Sequence, residues 1–208
     1  MSITIESNVK DPERIRERRA QIVAAAVKLF TEKGFHRTTT REIARESGLS
    51  NGAVYEYVKS KEDILFLVCQ HIHREMRAQL EASLSPAESG AAQLRQAIRA
   101  FYGVIERMQT DILLIYQESK SLPSPFLREV LREEQAITDI FEGLLRAGVA
   151  DGSIAVSERE IPLLAHDIVV MGQMWAFRRW GLRDVPFTDF VEQQVAILMQ
   201  ACKARLEE

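Results

Sequence analysis

The chain has 208 residues, 46% hydrophobic and 27% charged, with 27 Lys+Arg against 30 Asp+Glu for a formal charge of −3. That is enough apolar material for one large domain, or a small one beside a larger one, and it excludes a disordered or collagenous chain. No apolar run approaches the roughly 20 residues a bilayer crossing needs, and Met1-Ser2-Ile3-Thr4-Ile5-Glu6 does not resemble a secretion signal.

A cytoplasmic protein without membrane contact is therefore expected, and Cys69 and Cys202 are too few and too far apart for a disulfide framework or a metal cluster. The charge is uneven: residues 1–60 carry +3 and the remainder −6. A basic front on an acidic body hints at a polyanionic partner for that end.

The first helix is expected from Asp11-Pro12, where proline suits a first turn, to Gly34, with Ile22, Ala26, Leu29 and Phe30 on one stripe. Thr39 and Glu42 have capping-box spacing and open a second helix that stops after Ser47, with Gly48 as the left-handed residue. Ser50 caps a third helix to about Val58, and Ser60 opens a long one to about Ser83. Pro86 and Gly90 mark a break. Further helices are expected at 91–108, 110–121, 125–148, 158–181 and 187–206, separated by proline- and glycine-bearing segments. Strand signals are nearly absent, so the fold class is all-α, about nine helices. Residues 12–60 are expected to form a compact three-helix head, and 61–208 a larger helical body.

Thr39 to Lys61 carries the chemistry. Two short helices joined by Ser47-Gly48-Leu49 have helix-turn-helix geometry, with Ala44, Leu49 and Val54 as the apolar seam between them. Ser50, Asn51, Gly52, Ala53, Tyr55 and Tyr57 are left for the ends and outer face of the second of these helices. Small residues at its start let backbone approach a base-pair edge, and its N-terminal dipole favours phosphate. Tyr55 and Tyr57 offer phenolic donors, Lys61 and Arg41 charges, and Arg14, Arg16, Arg18 and Arg19 a basic arm. The same residues also fit a half-buried aromatic edge and a solvated face paired with Glu13 and Glu17.

The ordered motifs Ile22-x3-Ala26-x2-Leu29-Phe30-x3-Gly34-Phe35, Thr39-Thr40-Arg41-Glu42-Ile43-Ala44, Gly48-Leu49-Ser50-x-Gly52-x-x-Tyr55 and Ser60-Lys61-Glu62 resemble the N-terminal domain of the TetR family of bacterial transcriptional regulators over residues 14–66. The resemblance implies an all-helical homodimer joined by its last two helices, an effector pocket in the C-terminal domain and double-stranded operator DNA as partner. Carried over, Thr40 and Arg41 touch backbone or groove, and Ser50, Asn51 and Ala53, beside Gly52, approach bases. Tyr55 and Tyr57 grip phosphates, and Lys61 clamps the strand. Val58 stands where phenylalanine is common, and Glu56 either points away from phosphate or accepts from a cytosine amino group.

Leu114 to Pro123, Leu127 to Val130 and Gly172 to Trp180 resemble a subset of these regulators that responds to acyl-CoA thioesters. Phe101, Tyr116, Phe141, Met171, Met174 and Phe177 would line an acyl tunnel, with Trp175, Arg178 and Arg179 for adenine and phosphates. The tryptophans equally fit a core or dimer interface, and the arginines a capped helix end. Dimerisation is expected to bury Ile168, Val169 and Leu198.

Cys69, His71 and His73 are ordinary helix residues, because i,i+2 spacing turns side chains apart. No metal, cofactor or catalytic role is expected, and the rival reading is a helical small-molecule-binding protein or enzyme subunit without DNA.

Overall fold

The computed structural model describes residues 4–85 and 87–203. Every regular element among them is helical: nine α-helices and one 3₁₀ turn. α1 (Pro12–Lys33) starts where the Asp11 carboxylate accepts from the backbone N–H groups of Glu13 and Arg14. α2 (Thr40–Glu46) has the capping box: Thr39 Oγ1 accepts from Glu42 N, and the Glu42 carboxylate accepts from Thr39 N at 2.8 Å. α3 (Asn51–Tyr55) is three residues shorter than expected. Past Tyr55 the chain tightens, and the N–H groups of Tyr57 and Val58 both donate to Val54 O, at 3.0 and 3.2 Å. α4 (Lys61–Ser83) opens with a reciprocal cap, in which Ser60 Oγ accepts from Asp63 N and the Asp63 carboxylate accepts from Lys59 N.

The remaining elements are α5 (Gly90–Arg107), α6 (Gln109–Glu118), a 3₁₀ turn (Ser119–Ser121), α7 (Ser124–Ala150), α8 (Ile161–Phe177) and α9 (Phe187–Ala201). Gly148, expected as a break, is helical. Gly90 lies so close to it that a β-carbon on Gly90 would sit 2.4 Å from Gly148 Cα, and the chain turns instead at Gly152. α8 is trimmed at both ends: Ser157 to Glu160 form a turn closed by the Glu160 carboxylate, and from Arg178 the chain runs through successive turns. The expected break at Pro86 and the expected end of α9 at 204–206 lie outside the described residues.

The chain divides into two compact units, Met1–Arg74 with Thr110–Glu133, and Glu75–Gln109 with Glu134–Glu208. The division falls within α4 and α7. In the first unit the core is Ile22, Ala26 and Phe30 of α1 with Ile43, Ala44, Val54, Ile64 and Leu65, all buried. Phe66 stacks on Phe126 with centroids 4.5 Å apart. In the second, α5 packs against α8 and α9. There the fully buried Tyr102 donates to Ile168 O at 3.0 Å, and Phe101 meets Phe141 edge-on at 5.3 Å. Cutting back a buried aliphatic such as Ile98 or Ile168 to alanine costs about 2–5 kcal/mol. No helix among the described residues is long and apolar enough to cross a membrane.

Candidate nucleic-acid interface

The corner between α2 and α3 is set by a few local bonds. Leu49 N donates to Ala44 O at 2.9 Å and Gly48 N to Arg45 O at 3.2 Å. Gly48 takes φ 70°, and a β-carbon placed on it would meet nothing within 4 Å, so the requirement for glycine there is one of backbone conformation. Ser50 Oγ accepts from Ala53 N at 3.1 Å and caps α3. With Ala44 and Val54 buried in the seam, the two helices turn outward Arg41, Ser50, Gly52 and Tyr55, with Thr40, Asn51 and Ala53 half-buried beside them.

Two of these side chains meet. Thr40 Oγ1 and Tyr55 Oη lie 3.2 Å apart, one from each helix. Such a pair holds two protons and uses one between them, leaving one for an outside acceptor such as a phosphate oxygen. Asn51 Oδ1 has no hydrogen-bond partner among the described residues. Arg41, fully on the surface, adds charge at the start of α2.

Two expected phosphate contacts are placed differently. Tyr57 is only 4% exposed, so its ring belongs to the packing behind α3 rather than to its outer face. The Lys61 ammonium turns inward and donates to Phe35 O at 2.9 Å, Thr38 O at 3.0 Å and His36 O at 3.5 Å, 4.2 Å from the Phe35 ring centroid. At a helix start a lysine opposes the dipole; here it is fixed by carbonyls of the loop before α2, of which Phe35 O also accepts from Thr38 N at 3.2 Å. Lys61 thus positions α2. Glu118 accepts from Phe35 N at 3.1 Å and Ser121 Oγ lies 3.1 Å from His36 Nε2, so the same loop is held from three sides. Nothing local in the sequence signals Glu118, 83 residues from its partner.

The basic arm also divides. Arg14 and Arg16 stay on the surface, whereas Arg19 turns in. Its Nε and Nη2 donate to Tyr57 O at 3.1 and 2.9 Å, and Nη2 also reaches Ile5 O at 2.8 Å and Glu6 O at 3.3 Å. Ser7 Oγ and Asn8 N both donate to Glu56 O at 2.9 Å. The carbonyls after α3 are thereby clasped by residues 5–8. Burial pulls the Arg19 pKa down, opposed by the charge of Asp63. The sequence reading missed this clasp; its one signal was Ile5, an isolated apolar residue that proves to be 7% exposed.

The capping carboxylate of α2 is strongly acidic. Hydrogen bonds from Lys33 and from the Thr39 hydroxyl and backbone lower Glu42 from about 4.5 to about 2. Because its folded pKa lies below its unfolded one, its contribution is present above about 4.5 and is lost as pH falls toward 2. The melting-temperature advantage of wild type over Glu42→Gln should therefore be full at neutral pH, shrink below about pH 4.5 and vanish only below about pH 2.

The expected effector residues fall in both units. Phe101 and Phe141 are fully buried, Trp175 is 1% exposed with its indole N–H donating to Glu106, and all three belong to the second unit. Met171 and Met174 are half-buried on α8. Tyr116, 68% exposed, is on α6 in the first unit. Just past α8, the guanidinium of Arg179 lies 4.7 Å from the Trp175 ring and that of Arg178 4.7 Å from the Trp180 ring. Ile168, Val169 and Leu198, expected at a dimer interface, are instead buried within the chain. The apolar side chains that α8 and α9 leave outside are Leu163, Val170 and Ile197. Periodicity identified both helices correctly but not which stripe each helix keeps for its own core.

Comparison with known proteins fits this geometry. The model of bacterial regulatory proteins of the tetR family matches residues 22–68, and that of the tetracyclin repressor-like C-terminal domain matches residues 87–174. The HTH-type transcriptional regulator HbdR of Aromatoleum sp. (strain CIB) is 32% identical over 204 residues, 95% of this chain and 86% of that protein. The HTH-type transcriptional repressor KstR2 of Mycolicibacterium smegmatis is 27% identical over 175 residues, covering 81% of this chain and 82% of its own. The crystal structure of AibR in complex with isovaleryl coenzyme A and operator DNA shares the fold with a TM-score of 0.72 at 17% identity, over 88% of this chain and 98% of that one. By sequence and by fold, the chain belongs to the tetR family of bacterial transcriptional regulators.

Proposed function

We propose that the protein is a ligand-controlled repressor that binds a palindromic operator as a homodimer and acts by binding rather than by catalysis, in the cytoplasm. The observation that carries the reading is the outward set at the α2–α3 corner: the Thr40–Tyr55 hydroxyl pair, the surface Arg41 and the small residues Ser50, Gly52 and Ala53, with half-buried Asn51, whose side-chain oxygen is covered and unpartnered, at the start of α3. Two such corners, one per protomer, would enter successive major grooves about 34–36 Å apart. Tyr57 and Lys61 serve from behind, holding the corner in shape.

Two substitutions separate the roles on the outer face. Arg41→Ala should weaken binding to all duplexes alike and reduce the slope of log K against log salt by about 1. Asn51→Ala should change which operator bases are preferred and leave that slope in place. Binding curves on a set of single-base operator variants at several salt concentrations check both. If Asn51→Ala preserves every base preference, Asn51 does not read bases.

The effector is a small molecule held by the second unit, and an acyl-CoA thioester is the candidate. The relative AibR binds isovaleryl coenzyme A, and the Arg178–Trp180 and Arg179–Trp175 pairs offer this chain guanidinium and aromatic surface for phosphates and adenine. Free CoA, acyl-CoAs and the matching free acids should differ in thermal shift, a true ligand stabilising by RT ln(1+[L]/Kd). A shift by an unrelated apolar drug and by no thioester would exclude this class. To release DNA, the effector must prefer the conformation that does not fit both half-sites.

A further inference from the structure

The first unit contains an open cleft of about 870 Å³ between the N-terminal arm, α1 and α4, within the size range of small-molecule sites. Two helical stripes face it: Ile15, Arg16, Arg19 and Val23 from α1, and Leu67, Gln70 and Arg74 from α4. On α4 these residues are three and four apart, so they share one side of the helix. The arm adds Ile5 and Val9. The result is an apolar floor with guanidinium groups at its edge.

Three features indicate what would fill it. Gln70 is only 5% exposed, and its amide, which no group among the described residues bonds, keeps access to the cleft. It can therefore exchange water for a polar group entering the cleft. Arg16 and Arg74 hold their carboxylate partners loosely, Glu13 at 3.5 Å and Glu133 at 3.9 Å, leaving donors for a closer anion. Arg19 bonds through Nε and Nη2, and no bond engages Nη1. Glu6, the one carboxylate on the lining, is occupied by Lys59, and His71 faces the charge of Asp111.

We propose that this cleft is a second ligand site, lying in the DNA-binding unit, for a small monocarboxylate with an apolar body. Its carboxylate meets Arg74 and the Gln70 amide, and its apolar part lies along Ile5, Val9, Ile15 and Leu67. Arg19 links the site to the recognition helix, since the guanidinium lining the cleft also holds Ile5 O, Glu6 O and Tyr57 O. An anion drawing Arg19 toward itself weakens the clasp behind α3. That last consequence rests on the DNA-binding reading above; occupancy of the cleft does not.

The test uses the full chain with labelled methyl groups, titrated with octanoate and, as a neutral control, octanol. Octanoate should shift the Ile5 and Ile15 methyls saturably, Arg74→Ala should weaken this by ~10-fold or more, and octanol should leave them unmoved. Gln70→Leu should weaken it as well. Because Arg74 is at the surface, its variant should melt as wild type does. Unmoved Ile5 and Ile15 methyls, shifts confined to Ile98 and Ile168 of the second unit, equal shifts with octanol, or an Arg74→Ala affinity like wild type would each overturn the site.

On operator DNA selected with wild type, octanoate should speed dissociation of the wild-type complex and not that of Arg74→Ala. An unchanged rate would overturn the link through Arg19. A chain that selects no operator defeats the regulator reading instead, while the methyl titration still decides the cleft.

Discussion

Val170→Glu is expected to leave the protein monomeric and to lower operator affinity by ~100-fold or more. Val170 is 56% exposed on α8, Leu163, 66% exposed, lies two helical turns before it, and Ile197 of α9 is 44% exposed. Side chains of this kind on two adjacent helices suit a face buried against a second copy. In a twofold interface the substitution appears twice, and each buried, unpaired carboxylate costs several kcal/mol. Loss of the partner then removes the linked second half-site. Since Val170 is exposed within one chain, helix content should be unchanged by circular dichroism while sedimentation shows half the mass. A variant that remains dimeric would move the interface elsewhere.

Arg19→Ala should lower operator affinity by ~10–100-fold with little effect on non-specific duplex. In wild type the guanidinium ties Tyr57 O, behind α3, to Ile5 O and Glu6 O of the arm. Bonds from a charged group are worth about 1.5–3 kcal/mol, and α3 has only five residues of its own to hold its orientation. A residue that positions the helix alters specific binding more than the charge count does. The salt slope should therefore stay near wild type, in contrast to Arg41→Ala, and Arg19→Lys should recover part of the affinity. Equal losses on specific and non-specific DNA would make Arg19 a direct phosphate contact.

What could be read from the chain alone was local. The capping box of Thr39 and Glu42, the left-handed Gly48 and the caps Ser50 and Ser60 depend on residues a few positions apart, and each occurs as expected. Ala44 and Val54 took their places in the seam for the same reason. Spacing does not report where a long side chain turns once distant backbone is nearby. Lys61 found the carbonyls of Phe35 to Thr38, Arg19 found Tyr57 O 38 residues away, and Glu118 found Phe35 N across 83. Tyr57 was misplaced because α3 ends at Tyr55, and the turn that follows carries the ring inward. On α8 an almost uniformly apolar sequence left no contrast between the stripe packed inside and the one left out. The effector residues were the least legible, since a hydrophobic side chain looks alike whether it lines a cavity or fills a core.

The α2–α3 corner is expected to read a duplex as one half of a symmetric pair. Selection of the intact protein on random-sequence DNA tests it most directly. The expected result is enrichment of an inverted repeat whose half-sites lie about one helical turn apart, bound by two chains with affinity falling steeply with salt. Enrichment of no sequence, or of an unrepeated one bound by a single chain, would contradict it.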